Sequence, residues 1–269
     1  RSLSIGLQSA QNEELKMLGR IHTFEEFLET WKLIEQAGFK NRNIDLMSAL
    51  PGQTIESYED TLSKVLALEP EHISAYSLIL EEGTVFYDWY EKGKLDCGAW
   101  KLPSEEEEYA MGELTILRLA EAGMHRYEIS NYAKPGKECR HNLGYWDRTE
   151  YLGIGAGSSS LIKGERFDHI RDRKAYIEKI RNGESILIDR EILSVESQME
   201  EFMYLGLRKV EGVSRTDFQN YFGKNVDDVY GKILDKLEEE QLLEFSGDRI
   251  RLTHRGMDVS NCVLAEFLF

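Results

Sequence analysis

Between residues 2 and 133, short apolar runs alternate with amphipathic stretches, and this alternation restricts the fold more than any other feature of the chain. SLSIGLQS (Ser2 to Ser9) reads as a buried strand ending on a polar Gln8. A short helix with Leu15 and Leu18 follows. Then Phe24, Phe27, Leu28, Trp31 and Ile34 recur at helical spacing up to a stop at Gly38. NIDLMSALPG (Asn43 to Gly52) is the next strand with its Pro-Gly turn, and a helix carrying Tyr58, Leu62 and Val65 ends before Pro70. HISAYSLIL (His72 to Leu80) makes a third strand. The acidic run Ser104 to Glu108 marks a helix N-terminus, where carboxylates complement the dipole, and YEISNYA (Tyr127 to Ala133) makes a fourth strand. Strands and helices in alternation with short linkers imply parallel strands joined by right-handed crossovers. The expected fold class is therefore α/β, barrel-like or doubly wound. Ligands of such folds sit at the carboxyl ends of the strands, where Gln8, Asp45, Ser74, Ser77 and Asn131 supply polar groups.

After about Ser194 the pattern changes. VESQMEEFMYLGLRKV, TDFQNYFG and VDDVYGKILDKLEEEQLL read as helices, and LEFSGDRIRLTHRG as a hairpin turning at Gly247-Asp248. Three helices and a hairpin predict a winged-helix-like domain over 194–269, following a barrel portion over 1–165 and a connecting segment over 166–193. DNA binding is the obvious use of such a domain, but from Val195 onward it holds 9 Lys and Arg against 15 Asp and Glu. The whole chain carries a net charge of −16. Affinity for a phosphate backbone comes from clustered cations that displace counterions, so no nucleic-acid partner is expected. Cys97, Cys139 and Cys262 are too few and too far apart for a disulfide framework and imply reduced thiols. No apolar run reaches the ~18 residues of a membrane span. A cytoplasmic protein is the expectation, and the start at Arg1 inside a strand-like run suggests a fragment or processed chain.

The residues richest in chemistry lie in CRHNLGYWDRTEYLGIGAGSSS, Cys139 to Ser160. A thiol, an imidazole and an amide beside Tyr145 and Trp146 offer a soft ligand, a nitrogen ligand and flat aromatic walls, as an iron porphyrin requires. The run Gly153 to Gly157 permits close backbone approach to a flat or phosphorylated group. Each feature also has an ordinary structural use, as a hydrogen-bonded histidine, a core aromatic pair or a turn.

HNLGYW (His141 to Trp146) resembles the HNxxYW signature of the heme chaperone branch of the radical S-adenosylmethionine family, which also contains the oxygen-independent coproporphyrinogen oxidases. RSLSIGLQS with LKMLGRIH (Arg1 to His22), NIDLMSALPGQT, HISAYSLILEEGT and YEISNYAKPG resemble further blocks of that family in order and spacing. The resemblance implies the C-terminal part of a radical S-adenosylmethionine partial barrel, and a protein that binds heme and S-adenosylmethionine and delivers heme to acceptor proteins. The alternative it implies is the oxidase itself, which decarboxylates two propionates of coproporphyrinogen III. Matched by position, Gln8, Arg20, Asp45, Ile79 and Ser159 would contact S-adenosylmethionine. Asp45 would accept from ribose hydroxyls, Gln8 would bridge to the ribose or amino-acid part, and Arg20 would pair with the carboxylate. His141, Asn142, Tyr145, Trp146 and Cys139 would form the heme site, with His141 the heme-iron ligand. The family's third cofactor, a 4Fe–4S cluster, is held by a CxxxCxxC block that this sequence does not contain. The chain alone is therefore expected to bind no such cluster and to lack radical activity.

Overall fold

The computed structural model describes residues 2–269, which divide into two compact units, one ending at Glu138 and the other spanning Cys139–Phe269. The first unit contains β1 (Leu3–Gln8), α1 (Asn12–Met17), α2 (Phe24–Gln36), β2 (Arg42–Ser48), α3 (Ile55–Leu66), β3 (His72–Ser77), α4 (Val85–Glu91), α5 (Glu105–Glu121), β4 (His125–Glu128) and β5 (Asn131–Ala133). Local sequence explains the helix starts. Thr23, Thr54 and Ser104 each close a capping box with the residue three positions on, satisfying amides that the first turn leaves free. α2 then stops at Gly38, whose φ of 78° suits glycine. One face of the sheet, with Leu7, Ile44, Leu46 and Ile73, packs on Phe27, Trp31, Tyr58, Leu62 and Met111 of the helices.

The strands run in the order β1-β2-β3-β5-β4, with β1, β2 and β3 parallel as the alternation predicts. YEISNYA differs from the expectation of one parallel strand. It splits into β4 and β5, an antiparallel hairpin, and β5 lies antiparallel between β3 and β4. The cause is local. The Glu128 carboxylate accepts from the Ser130 amide at 2.8 Å, and the Arg126 guanidinium donates to the Ile129 carbonyl at 3.0 Å, fixing a two-residue turn inside the run. α5 still returns the chain parallel to β3, one position further out than a simple crossover would.

The second unit contains α6 (Arg140–Trp146), β6 (Ser159–Ile162), β7 (Glu165–His169), α7 (Arg173–Asn182), β8 (Leu187–Ile192), α8 (Val195–Gly206), β9 (Val213–Ser214), α9 (Arg215–Phe222), α10 (Val226–Glu239), β10 (Leu243–Ser246), β11 (Arg249–Leu252), α11 (His254–Asp258) and α12 (Ser260–Ala265). β6, β7 and β8 form an antiparallel sheet, so part of 166–193 is strand and helix. β10, β11 and β9 form the wing, and the hairpin turns at Gly247-Asp248. Phe218, Tyr230, Leu234 and Phe267 are at most 1% exposed and make the core beneath it.

Candidate functional site

The face of the first sheet opposite its apolar core is polar. Asn43 and Asp45 alternate on β2, and His72 and Ser74 alternate on β3, so all four side chains share that face. Asn43 Nδ2 donates to Asp45 Oδ1 at 2.7 Å and to Ser74 Oγ at 3.0 Å, and Ser4 Oγ donates to Asp45 at 3.3 Å. Burial first, and then the nearby Asp45 carboxylate, push the Tyr76 phenol well above its ordinary range. A half-buried carboxylate with neighbouring donors on its rim can accept from hydroxyl or amine groups of a ligand.

Gln8 lies two residues beyond Gly6 on β1, so strand alternation places it on the polar face while Leu7 between them enters the core. A bulge between Gly6 and Gln8 slips the register by one, setting Gln8 opposite Leu46, and Gln8 takes φ 75° with its side chain over Gly6. A Cβ on Gly6 would lie 2.6 Å from Gln8 Nε2 and 3.9 Å from Asp45 Oδ2, so the space belongs to the glutamine only because residue 6 is glycine. Gln8 is 6% exposed and its Oε1 has no hydrogen-bond partner. Behind it, the buried Glu14 carboxylate accepts from Ser9 Oγ at 2.6 Å, Gln53 Nε2 at 2.9 Å and Ser57 Oγ at 2.8 Å, tying α1 to the turn before α3. Arg20 is exposed between α1 and α2, and its charge acts on Tyr76. Ile79 is 69% exposed beyond the end of β3. Ser159 opens β6 and belongs to the second unit, whereas the other four belong to the first.

His72 stiffens the polar face. Its Nδ1 lies 2.7 Å from Asn43 Oδ1 and its Nε2 2.8 Å from the Tyr127 hydroxyl. The amide oxygen can only accept, so Nδ1 carries the proton and the tyrosine donates to Nε2. Burial lowers the His72 pKa to about 4, against a smaller opposing pull from Asp45 and Glu138. An unfolded histidine titrates near 6.5, so as pH falls the unfolded chain takes up the proton first. The stability His72 contributes is complete above about pH 6.5 and is lost between there and about pH 4, to a limit of about 3 kcal/mol. Urea unfolding at pH 7 and pH 4.5 should record the decline, and His72→Gln should flatten it; equal slopes in the two proteins would refute the assignment.

In the second unit, Cys139 sits at the N-cap of α6 with a half-buried thiol outside any disulfide. His141 and Tyr145, one helical turn apart, meet edge to face with ring centroids 4.7 Å apart, and Tyr145 meets Tyr151 in the same way at 4.9 Å. These three rings, with Leu152, Gly153 and Ser159, line a cavity of about 500 Å³, within the size range of small-molecule clefts. Trp146 does not join it. One residue beyond Tyr145 the helix has turned by about 100°, and the indole instead stacks under the Arg208 guanidinium at 4.5 Å, its Nε1 buried without a partner. Asn142 is half-buried on α6. The glycine run serves its own chain. A Cβ on Gly153 would meet Ser158 Cβ at 2.9 Å and the Ser159 backbone at 3.0 Å, and the Gly155 carbonyl accepts from Ser158 Oγ at 2.8 Å. At Gly153 the close approach is made to Ser159 of β6, whereas a Cβ on Gly155 would meet nothing within 4 Å.

Tyr151 was not singled out by sequence, nor was Glu201, 4% exposed, which pairs with Arg148 at 3.1 Å and Arg166 at 2.8 Å and fixes the turn after α6 to β7 and α8. Tyr151 lies ten residues from His141, a spacing with no local signature. The alternation Asn43, Asp45 and His72, Ser74 within apolar strands was the signal for the polar network.

A Gly6 cradle, a buried unpaired Gln8 oxygen and the Asp45 carboxylate suit a nucleoside with free hydroxyls. No group of three or more His, Cys, Asp or Glu that could hold a metal ion occurs among the described residues, so they offer an iron–sulfur cluster no ligand set. No helix among them is long and apolar enough to cross a membrane.

Comparison with known proteins matches residues 1–65 to the Radical SAM superfamily and residues 193–259 to the HemN C-terminal domain. The heme chaperone HemW of Bacillus subtilis is 38% identical over 266 residues, covering 99% of this chain and 69% of that protein. The heme chaperone HemW of Lactococcus lactis is 39% identical, with 99% and 68% covered. Among solved structures, the radical SAM coproporphyrinogen III oxidase HemN of Escherichia coli superposes with a TM-score of 0.81 at 20% identity, covering 99% of this chain and 63% of that one. That likeness is one of fold.

Proposed function

The chain belongs to the radical S-adenosylmethionine family of heme chaperones, and on that premise we propose that it binds heme at the cavity beside His141 and passes it to acceptor proteins. The observation that carries this reading is the cavity itself, where an exposed imidazole stands at the end of a row of two tyrosine rings. His141 would supply a ring nitrogen to the heme iron, the Tyr145 and Tyr151 rings would pack against the porphyrin, and Cys139 at the start of α6 is the second candidate ligand. The openness of His141 to solvent suits a carrier that must release its cargo. Trp146 supports α6 through Arg208 and, with Tyr145 and Tyr151, lines a neighbouring hollow, where Trp146 and Asn142 carry the weaker heme assignments.

S-adenosylmethionine is assigned to the polar face of the first unit. Asp45 accepts from the ribose hydroxyls, Gln8 Oε1 gains the donor it lacks, and Arg20 pairs with the methionyl carboxylate. Ile79 and Ser159 carry the weaker assignments. In this family the bound cofactor, with its 4Fe–4S cluster, supplies a 5′-deoxyadenosyl radical; the residues described here bind and orient the nucleoside only. The relatives at 38–39% identity are named as chaperones, whereas the oxidase is matched in fold at 20%, and this ranks heme delivery above decarboxylation. The cytoplasm is the compartment that fits its reduced thiols, and heme-accepting proteins are its partners.

Heme titration tests the reading. The parent protein should give a shifted Soret band on binding, and His141→Ala should lose that shift and bind about tenfold more weakly, the loss of roughly one coordinate interaction's net worth. An unchanged spectrum and affinity in His141→Ala would remove His141 from the role.

A further inference from the structure

Asn131 opens β5 and is 7% exposed. Its register partner is Ser74, which pairs with Asp45, which pairs with Gly6. Directly opposed residues carry their side chains on the same sheet face, so Gly6, Asp45, Ser74 and Asn131 form one row across the polar face. Tyr132, next along, faces the core on the other side. The orientation of the Asn131 amide is determined by its neighbour. Nδ2 donates to Glu128 Oε1 at 2.5 Å, and a carboxylate can only accept, so the amide nitrogen must face Glu128 and the oxygen must face away. Glu128 is itself 1% exposed and held by the Ser130 amide. The Asn131 oxygen is left buried with no hydrogen-bond partner.

The large majority of buried side-chain polar atoms in native proteins have a hydrogen-bond partner. Here two carboxamide oxygens, Gln8 Oε1 and Asn131 Oδ1, are unpaired on one sheet face, with the Asp45 carboxylate in the row between them. An acceptor fixed by Glu128, a second carboxamide and an anion on one row select a ligand rich in N–H and O–H groups. We infer that Asn131 Oδ1 is a further binding contact for S-adenosylmethionine, accepting a hydrogen bond from one of its hydroxyl or amino groups. This rests on the assignment of that cofactor to the polar face.

Titration calorimetry with S-adenosylmethionine itself decides the matter. The parent protein should bind, Asn131→Ala should bind about tenfold more weakly, and the rise in melting temperature that the ligand gives the parent should shrink accordingly. Asn131→Ser separates contact from scaffolding, because its hydroxyl can still donate to Glu128 but supplies no oxygen at the position of Oδ1. It should also bind about tenfold more weakly, and it carries the test if the alanine variant does not fold. Parental affinity in Asn131→Ser would confine Asn131 to fixing the hairpin and overturn the inference while leaving the cofactor assignment standing. Absence of binding by the parent protein would overturn both.

Discussion

Gly212→Ala is expected to melt the second unit roughly 10–15 °C below the parent protein, a loss of about 3–5 kcal/mol. Two costs combine. Gly212 has φ of 67°, a conformation that costs an L-residue about 1–2 kcal/mol. A Cβ there would also lie 2.8 Å from Arg251 Cα and closer still to the Ile250 carbonyl oxygen. Those atoms belong to β11, so relief requires the wing to move, and the β9–β11 pairing through Val213 and Ile250 moves with it. Gly231→Ala is the control. Gly231 sits inside α10 with nothing within 4 Å of an added Cβ and no positive φ, so alanine there should stabilise by up to about 1 kcal/mol. Thermal melts followed by circular dichroism would separate the two, and a Gly212→Ala protein as stable as Gly231→Ala would overturn the account of the wing.

Asp45→Ala should weaken S-adenosylmethionine binding by about 10- to 150-fold, the range that corresponds to a hydrogen bond to a charged group at about 1.5–3 kcal/mol. Asp45 accepts from Ser4 and Asn43 in the row between Gly6 and Ser74, beside the space over Gly6. Its removal also lets the Tyr76 phenol return toward its ordinary range, because part of the upward push came from Asp45. Calorimetry gives the affinity, and the far-ultraviolet spectrum of the variant checks that the sheet is intact. Binding within twofold of the parent by a folded Asp45→Ala protein would move the cofactor off this face.

Much of the first unit was legible because its signals are local. Phe27, Trp31 and Ile34 fall at helical spacing and are buried together, and the capping residues sit where the apolar period begins. The parallel order of β1, β2 and β3 follows from the connections between them. The hairpin at Gly247-Asp248 needed only a turn pair between two short strands. The split of YEISNYA was not legible in the same way, since residues 127–133 have the composition of one strand and only the Glu128 and Arg126 side chains, folding back on their own backbone, break it.

The sites divide along the same line. Sequence by itself determined which residue types were available: a strand-end Gln8, an Asp45 between apolar neighbours, and the His141–Tyr145 pair one helical turn apart. Those follow from chain periodicity, which is a property of neighbours a few positions away. Tertiary structure decided where they point. The bulge before Gln8 slips its register on β2 and sets its amide over Gly6 beside Asp45, the turn of α6 lays Trp146 on Arg208 and outside the cavity of His141, and Tyr151 arrives beside Tyr145 from ten residues past His141. Side-chain direction depends on backbone dihedrals and on packing against segments distant in sequence, and neither is written in the spacing of residue types.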